Sequence, residues 1–186
     1  MRRRAKAERR RPATPAVALR GAVVGDAPAL HALIVAHLEE GRLLPRTLGE
    51  LADHAHRFIV AIRQERIVGC AELAPLSASV AEVRSLVVSR EARQSGLGRQ
   101  MVDDLRRRAQ RQGFTRLAAF AHDPRFFVRL GFSIVPHTWV PEKIAHDCQA
   151  CALFRNCGQY AIVLDVESAQ ALPGIALADS VVSLSG

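Results

Sequence analysis

Apolar and polar positions along this chain separate predicted strands from predicted helices. Apolar runs typical of strands cover residues 16–22, 58–62, 67–73, 80–88, 116–121, 132–135 and 159–166. Helical spacing of apolar residues begins after the N-cap residue Asp26 and continues to about Gly41, and it returns over residues 98–112. Shorter helices are predicted over residues 124–130 and after Thr47, which has capping-box spacing with Glu50.

The order of these elements predicts the fold class. It reads β-α-α-β-β-β-α-β-α-β with one further strand at the end, so we expect an α/β fold built on one mixed sheet. The polar residues 63–66 separate two strands and predict a hairpin. In the helix over residues 98–112, a buried stripe is predicted at Met101, Val102, Leu105 and Ala109.

Composition fits one folded domain, which we place at residues 17–166. The chain has 186 residues, of which 49% are hydrophobic and 24% are charged, as in ordinary globular proteins. No apolar run is long enough to cross a bilayer, so we expect no membrane partner.

The net charge of +8 is concentrated in one segment. Residues 1–11 carry seven basic side chains against Glu8, a net +6 that leaves +2 for the rest. We expect residues 1–16 to form a disordered basic arm and residues 167–186 a flexible tail. Without a secretory signal pattern, the expected location is the cytoplasm. Because the core has no basic surface stretch, we do not expect nucleic-acid binding, although a regulator that binds through the arm is the alternative of a different class.

A glycine-containing turn carries the clearest chemical signal. The residues Arg93-Gln94-Ser95-Gly96-Leu97-Gly98-Arg99 lie between a predicted strand and a predicted helix. Backbone N–H groups at such a turn and at the helix N-terminus bind phosphate. A dinucleotide fingerprint would need glycine at Met101, and a P-loop would need Lys and Ser or Thr after Gly98, so neither pattern fits.

The pattern Arg/Gln-x-x-Gly-x-Gly/Ala, matched here by Arg93, Gly96 and Gly98, resembles the acyl-CoA signature of GNAT-type N-acetyltransferases. The aromatic pair Phe126-Phe127 followed by Gly131-Phe132 is also similar to this family. The resemblance implies the GNAT acyl-CoA N-acyltransferase fold and acetyl-CoA as co-substrate. It places the cofactor on the turn residues and on strand backbone, at Leu86, Val87, Val88, Arg93, Gln94, Ser95, Gly96, Leu97, Gly98 and Arg99.

Further segments resemble one branch, the short stand-alone N-acetylglutamate synthases. They are residues 41–46, 68–71, 81–88, 140–144 and the cysteine-containing stretch 147–157. The resemblance implies an amino-acid N-acetyltransferase that acetylates L-glutamate directly, as the first step of arginine biosynthesis, and that self-associates. The alternative is the same fold acting on another amino acid, a small amine or a peptide N-terminus.

The resemblance also assigns roles to single residues. Glu82 takes the position of the general base, which removes the ammonium proton directly or through water. The alternative interpretation is that Glu82 is an ordinary strand glutamate whose side chain faces solvent. Arg46 matches the arginine that binds a substrate carboxylate, and Arg84 and Lys143 are further candidates for acceptor binding.

Two questions stay open at this level. Relatives often carry a hydroxyl residue near Ala121 or a tyrosine in the following helix, whereas this chain has Phe126 and Phe127 there. His122 could donate a proton or be an ordinary loop histidine, and the single tyrosine, Tyr160, lies in the last predicted strand.

The second question concerns Cys148, Cys151 and Cys157. They could hold zinc with His146 or His137. Common zinc motifs have two C-x2-C units, however, and the second unit is missing here, so no metal is predicted.

Overall fold

A computed structural model describes residues 16–41 and 43–166 and shows a seven-stranded mixed sheet with helices in its connections. The strands are β1 (Ala18–Gly21), β2 (Phe58–Arg63), β3 (Arg66–Pro75), β4 (Val80–Val88), β5 (Arg116–Ala121), β6 (Ser133–Val135) and β7 (Tyr160–Asp165). The helices are α1 (Ala27–Val35), α2 (Leu38–Gly41), α3 (Leu48–Asp53), α4 (Leu97–Arg111), α5 (Arg125–Val128) and α6 (Pro141–His146).

The strand order in the sheet is β1-β2-β3-β4-β5-β7-β6. Strands β4 and β5 are parallel, whereas the pairs β1/β2, β2/β3, β5/β7 and β6/β7 are antiparallel. The predicted α/β fold with a mixed sheet is therefore confirmed.

The chain forms two compact units, and strands β3 and β4 contribute residues to both. Of the described residues, the first unit contains those up to residue 72 together with residues 84–102. The second contains residues 73–83 and the described residues from 103 to 166.

The first unit is built on the β2–β3 hairpin and the helices α1 and α3. Gln64 and Glu65 both have positive φ, the conformation that two-residue hairpin turns require. Leu30 and Ile34 of α1 are fully buried in one cluster with Phe58 of β2, so the apolar stripe of the helix covers the hairpin.

The N-cap residues of α1 and α3 lie where the sequence predicts them, but only the N-cap of α3 makes the expected side-chain hydrogen bond. Thr47 and Glu50 form the predicted capping box at α3, with the Glu50 N–H 3.2 Å from Thr47 Oγ1. Helix α1 begins directly after Asp26, yet that carboxylate accepts hydrogen bonds from Arg20 and from the Val23 N–H instead. Arg20 accordingly lowers the pKa of Asp26.

The second unit packs around β5 and β7. Leu117 and Ile162 are fully buried on these strands. Val140, directly before α6, is fully buried in a cluster with Val80, Ala118 and Val163. This cluster fixes the start of α6 to the sheet, which matters for the side chains that the helix carries.

The remaining differences from the sequence prediction are local. The first helix ends at Val35 rather than near Gly41, because a turn at residues 36–37 separates it from α2. Helix α6 and the short 3-10 turns around it were not predicted. The stripe of α4 is buried as predicted.

The arm up to residue 15, Arg42 and the tail 167–186 lie outside the described residues. Among the described helices, none combines the length and apolar character that spanning a membrane requires.

Candidate active site

The predicted phosphate-binding turn has the backbone shape that its sequence requires. A 3-10 turn (Arg90–Ala92) leads into it, Gln94 has φ 60° and Gly96 has φ 79°, and α4 starts at Leu97. The Ser95 hydroxyl donates to the Ala92 carbonyl at 2.6 Å and tightens the loop. A Cβ at Gly96 would meet nothing within 4 Å, so the space over this backbone is open. The first N–H groups of a helix have no intrahelical partner, so the turn can seat an anion.

The side chain of Arg93 holds this turn in place. Its Nε donates to the Val88 carbonyl at 3.1 Å, and its Nη1 forms an ion pair with Glu40 of α2. Arg90 Nε lies 3.2 Å from the other oxygen of Glu40. The hydrogen bond from Arg93, with help from Arg90, lowers the pKa of Glu40 to about 2. Glu40 is a site residue that the sequence analysis missed.

Strand β4 changes its backbone course where the sequence predicts cofactor contacts. Ser85 has φ 47°, a strained value for a residue other than glycine, and its carbonyl accepts from the Cys70 thiol at 3.4 Å. The parallel ladder between β4 and β5 runs from Val80 to Glu82, although both strands continue. Val87 is buried, whereas Leu86 and Val88 are half-buried.

Glu82 is buried, with only 4% of its surface exposed, so the solvent-facing reading is wrong. Both carboxylate oxygens lie 2.9 Å from Lys143 Nζ of α6. The same ammonium donates to Asp147 Oδ2 at 2.8 Å and lies 5.0 Å from the centre of the Phe120 ring. A chain separation of 61 residues between Glu82 and Lys143 explains why no local pattern predicted this pair.

Arg46 lies between two carboxylates in the first unit. Its Nη1 is 2.9 Å from Glu72 Oε2, and its Nε is 2.8 Å from Glu50 Oε1. Glu72 is fully buried, and its second oxygen lies 3.9 Å from His54 Nδ1. Two protein carboxylates thus compensate the charge of Arg46, the predicted substrate-binding arginine. The sequence did not single out Glu72, because this residue lies in an apolar strand. Arg84 is half-buried on β4.

His122 and the single tyrosine, Tyr160, have different surroundings. His122 Nδ1 lies 3.1 Å from the Gly158 carbonyl, which only accepts, so Nδ1 carries the hydrogen and the neutral ring has no proton at Nε2. Tyr160 is the cross-strand partner of Ala121 and is 48% exposed. Directly paired residues project to the same face of a sheet, so Tyr160 brings a hydroxyl to the face where Ala121 has none.

The cysteine-containing segment offers no ready metal site. Cys148 and Cys151 are half-buried, Cys157 is exposed, and all three are free thiols. Within residues 16–41 and 43–166, no three His, Cys, Asp or Glu side chains are grouped so that they could hold an ion.

Comparisons with known proteins identify the family to which this chain is similar. Residues 29–132 match the model of the acetyltransferase (GNAT) family. An uncharacterised N-acetyltransferase of Chlorobaculum tepidum is 29% identical over 145 residues, which cover 78% of this chain and 94% of the relative.

Two other similar proteins are much longer than this chain. An amino-acid acetyltransferase of Neisseria meningitidis is 30% identical over 133 residues, which cover 70% of this chain and 30% of the relative. The N-acetylglutamate synthase of Neisseria gonorrhoeae, solved with coenzyme A and N-acetyl-glutamate, superposes with a TM-score of 0.73 at 27% identity. That match covers 81% of this chain and 35% of the synthase, so the chain spans about a third of both longer relatives.

Proposed function

Because the chain belongs to the acetyltransferase (GNAT) family, whose co-substrate is acetyl-CoA, we propose that it acetylates the α-amine of L-glutamate by direct transfer. The observation that carries the choice of acceptor is the similarity to the gonococcal synthase, which was solved with coenzyme A and N-acetyl-glutamate. In this proposal the product is N-acetyl-L-glutamate, and the reaction is the first step of arginine biosynthesis.

The cofactor end of the reaction uses mainly backbone groups. The N–H groups around Gly96, Leu97 and Gly98 take the diphosphate of CoA, because they lie at the start of the 15-residue helix α4. The pantetheine arm takes backbone groups of residues 86–88, beyond the point where the β4–β5 ladder ends.

The chemical step needs a base, and Glu82 supplies it. Its carboxylate removes a proton from the acceptor ammonium, directly or through a water molecule. The amine nitrogen then forms a bond to the thioester carbon. The tetrahedral intermediate releases the second nitrogen proton to solvent and collapses with cleavage of the C–S bond. Tyr160 is the proposed donor of the proton that the CoA thiolate takes up, since it is the hydroxyl that pairs with Ala121.

Acceptor binding is assigned to Arg46 and Arg84. Glu72 and Glu50 contact Nη1 and Nε of Arg46, so Nη2 is the end of the guanidinium that we assign to a substrate carboxylate. Lys143 is not assigned to acceptor binding, because its ammonium forms ion pairs with Glu82 and Asp147.

The deciding experiment measures release of free thiol from acetyl-CoA with a panel of acceptors. We expect the highest kcat/KM with L-glutamate and lower values with L-aspartate, L-glutamine and L-arginine. Transfer to another amino acid, a small amine or a peptide N-terminus, with none to L-glutamate, would establish the second candidate function. Mass spectrometry of the product identifies the acetylated nitrogen.

A further inference from the structure

The ammonium of Lys143 is engaged by two protein carboxylates. An ammonium has three N–H donors. Three carboxylate oxygens lie within hydrogen-bond distance of Lys143 Nζ, namely both oxygens of Glu82 at 2.9 Å and Oδ2 of Asp147 at 2.8 Å. The Phe120 ring lies against the same group at 5.0 Å.

The surroundings of Glu82 make this contact more than a surface ion pair. A carboxylate that is 4% exposed needs a partner to stay ionised, because burial penalises the charged form. Lys143 is the cation that both of its oxygens contact, and α6 is held in place by the fully buried Val140. Both ends of the pair therefore have fixed anchors within the second unit.

We infer that Lys143 and Asp147 are positioning residues, which hold the Glu82 carboxylate ionised and in one orientation, and that Lys143 does not bind the acceptor. This inference rests on the proposed function, since it assumes that Glu82 is the base. Asp147 contributes by accepting a further hydrogen bond from Lys143, which keeps the ammonium from turning away from Glu82.

Other titratable groups in the same unit face this network. His146 Nδ1 lies 3.0 Å from Asp147 Oδ1, and the His137 ring lies 5.9 Å from the Phe120 ring. Cys148 follows Asp147 and interacts electrostatically with Lys143. These groups are retained in the variants below, so differences between variants report on Lys143 and Asp147.

The test compares K143M, K143R and D147N with E142Q, a control that removes a charge from the same helix. For K143M we expect kcat to fall on the order of 100-fold, because a displaced base loses alignment. The acceptor KM should change less than about threefold, and K143R and D147N should lose less kcat than K143M. E142Q should match the wild type.

The pH profile gives a second readout. A buried carboxylate that loses its cation takes up a proton at higher pH, and the base acts only when deprotonated. The acid limb of kcat/KM in K143M should therefore move to higher pH. A merely structural lysine would leave that limb in place.

Two results would overturn the inference. One is a K143M enzyme with unchanged kcat and a raised acceptor KM, more so for L-glutamate than for L-glutamine, which would identify a carboxylate ligand. The other is an unshifted acid limb in a K143M protein whose unfolding midpoint matches that of the wild type. If the wild type transfers no acetyl group to any amine, the proposed function itself has failed, and that result appears before any variant is compared.

Discussion

At the scale of single residues, the proposed chemistry is concentrated in a few buried or half-buried carboxylates with defined partners. Glu82 is held by Lys143, and Glu72 is held by Arg46. Each pair compensates a charge that would otherwise be costly to bury, so loss of one member leaves the other uncompensated. Conservative substitutions that keep shape and remove charge are therefore the informative ones.

Glu82→Gln tests the base directly. The amide keeps nearly the same volume and can still accept a hydrogen bond from Lys143, but it cannot take a proton at neutral pH. We expect kcat to fall by roughly 10²- to 10⁴-fold, the usual contribution of acid–base catalysis. Acetyl-CoA affinity measured by calorimetry should stay at the wild-type value. Retention of full turnover would remove Glu82 from this role.

Tyr160→Phe tests the proton donor. The CoA thiolate leaves readily without full protonation, so the loss in kcat should be smaller, about tenfold, which is below the usual contribution of acid–base catalysis. His122→Gln provides the comparison, because His122 carries its hydrogen toward Gly158. A larger loss in the His122 variant than in Y160F would reverse the assignment.

The thiols should differ in reactivity because the thiolate is the reactive form. Burial raises the pKa of Cys70 to about 12, and burial is also the main cause of the raised pKa of Cys148. With a disulfide reagent near pH 7.5, exposed Cys157 should react before Cys148, and Cys70 should react only after denaturation.

The rate at Cys148 should keep rising as the pH is raised, since deprotonation is shifted upward. Single Cys→Ser variants assign each phase. Because the described residues hold no preformed metal ligand set, a chelator should not change these rates. Slow labelling that a chelator accelerates would instead indicate a bound metal.

At the scale of elements, the proposed phosphate-binding turn has a contact with a helix that is distant in sequence. Glu40 of α2 holds Arg93, at a separation of 53 residues. The guanidinium thus acts as an anchor for the turn, and the backbone N–H groups are left to bind the anion.

Glu40→Gln should therefore weaken acetyl-CoA binding without affecting the chemical step. Solvent screens exposed ion pairs, so the acetyl-CoA KM should rise by at most about fivefold while kcat stays constant. Glu39→Gln on the same helix is the matched control, because Glu39 is also exposed. Equal KM values in E40Q and the wild type would mean that the turn keeps its shape without this anchor.

The sequence predicts an element correctly where the pattern that defines the element lies within the element itself. The bounds of β4 and β5 match the prediction because each is an apolar run between polar residues, and the Thr47 capping box is local. Contacts between residues that are distant in sequence could not be predicted in this way. The partners of Glu40, Glu72 and Lys143 lie 53, 26 and 61 residues away along the chain. Helix α6 was not predicted, because it has too few apolar positions to show a helical period.

At the scale of the whole molecule, charge and catalysis are assigned to different parts of the chain. Seven basic residues lie within residues 1–11, whereas every side chain placed in the proposed reaction lies between residues 40 and 160. The net charge of +8 therefore describes the basic segment better than it describes the catalytic domain.

Deletion of residues 2–15 should consequently leave catalysis intact. The deletion removes +6 and leaves a net charge of +2, so affinity for heparin or duplex DNA, and its dependence on salt, should fall sharply. Both KM values and kcat should remain within about twofold of the full chain, measured by thiol release at the same ionic strength. Tight, salt-sensitive DNA binding by the shortened protein would place a nucleic-acid surface on the catalytic domain. Loss of acetyl transfer would show that the basic segment takes part in the reaction, and either outcome would contradict the separation of roles argued from the charge distribution.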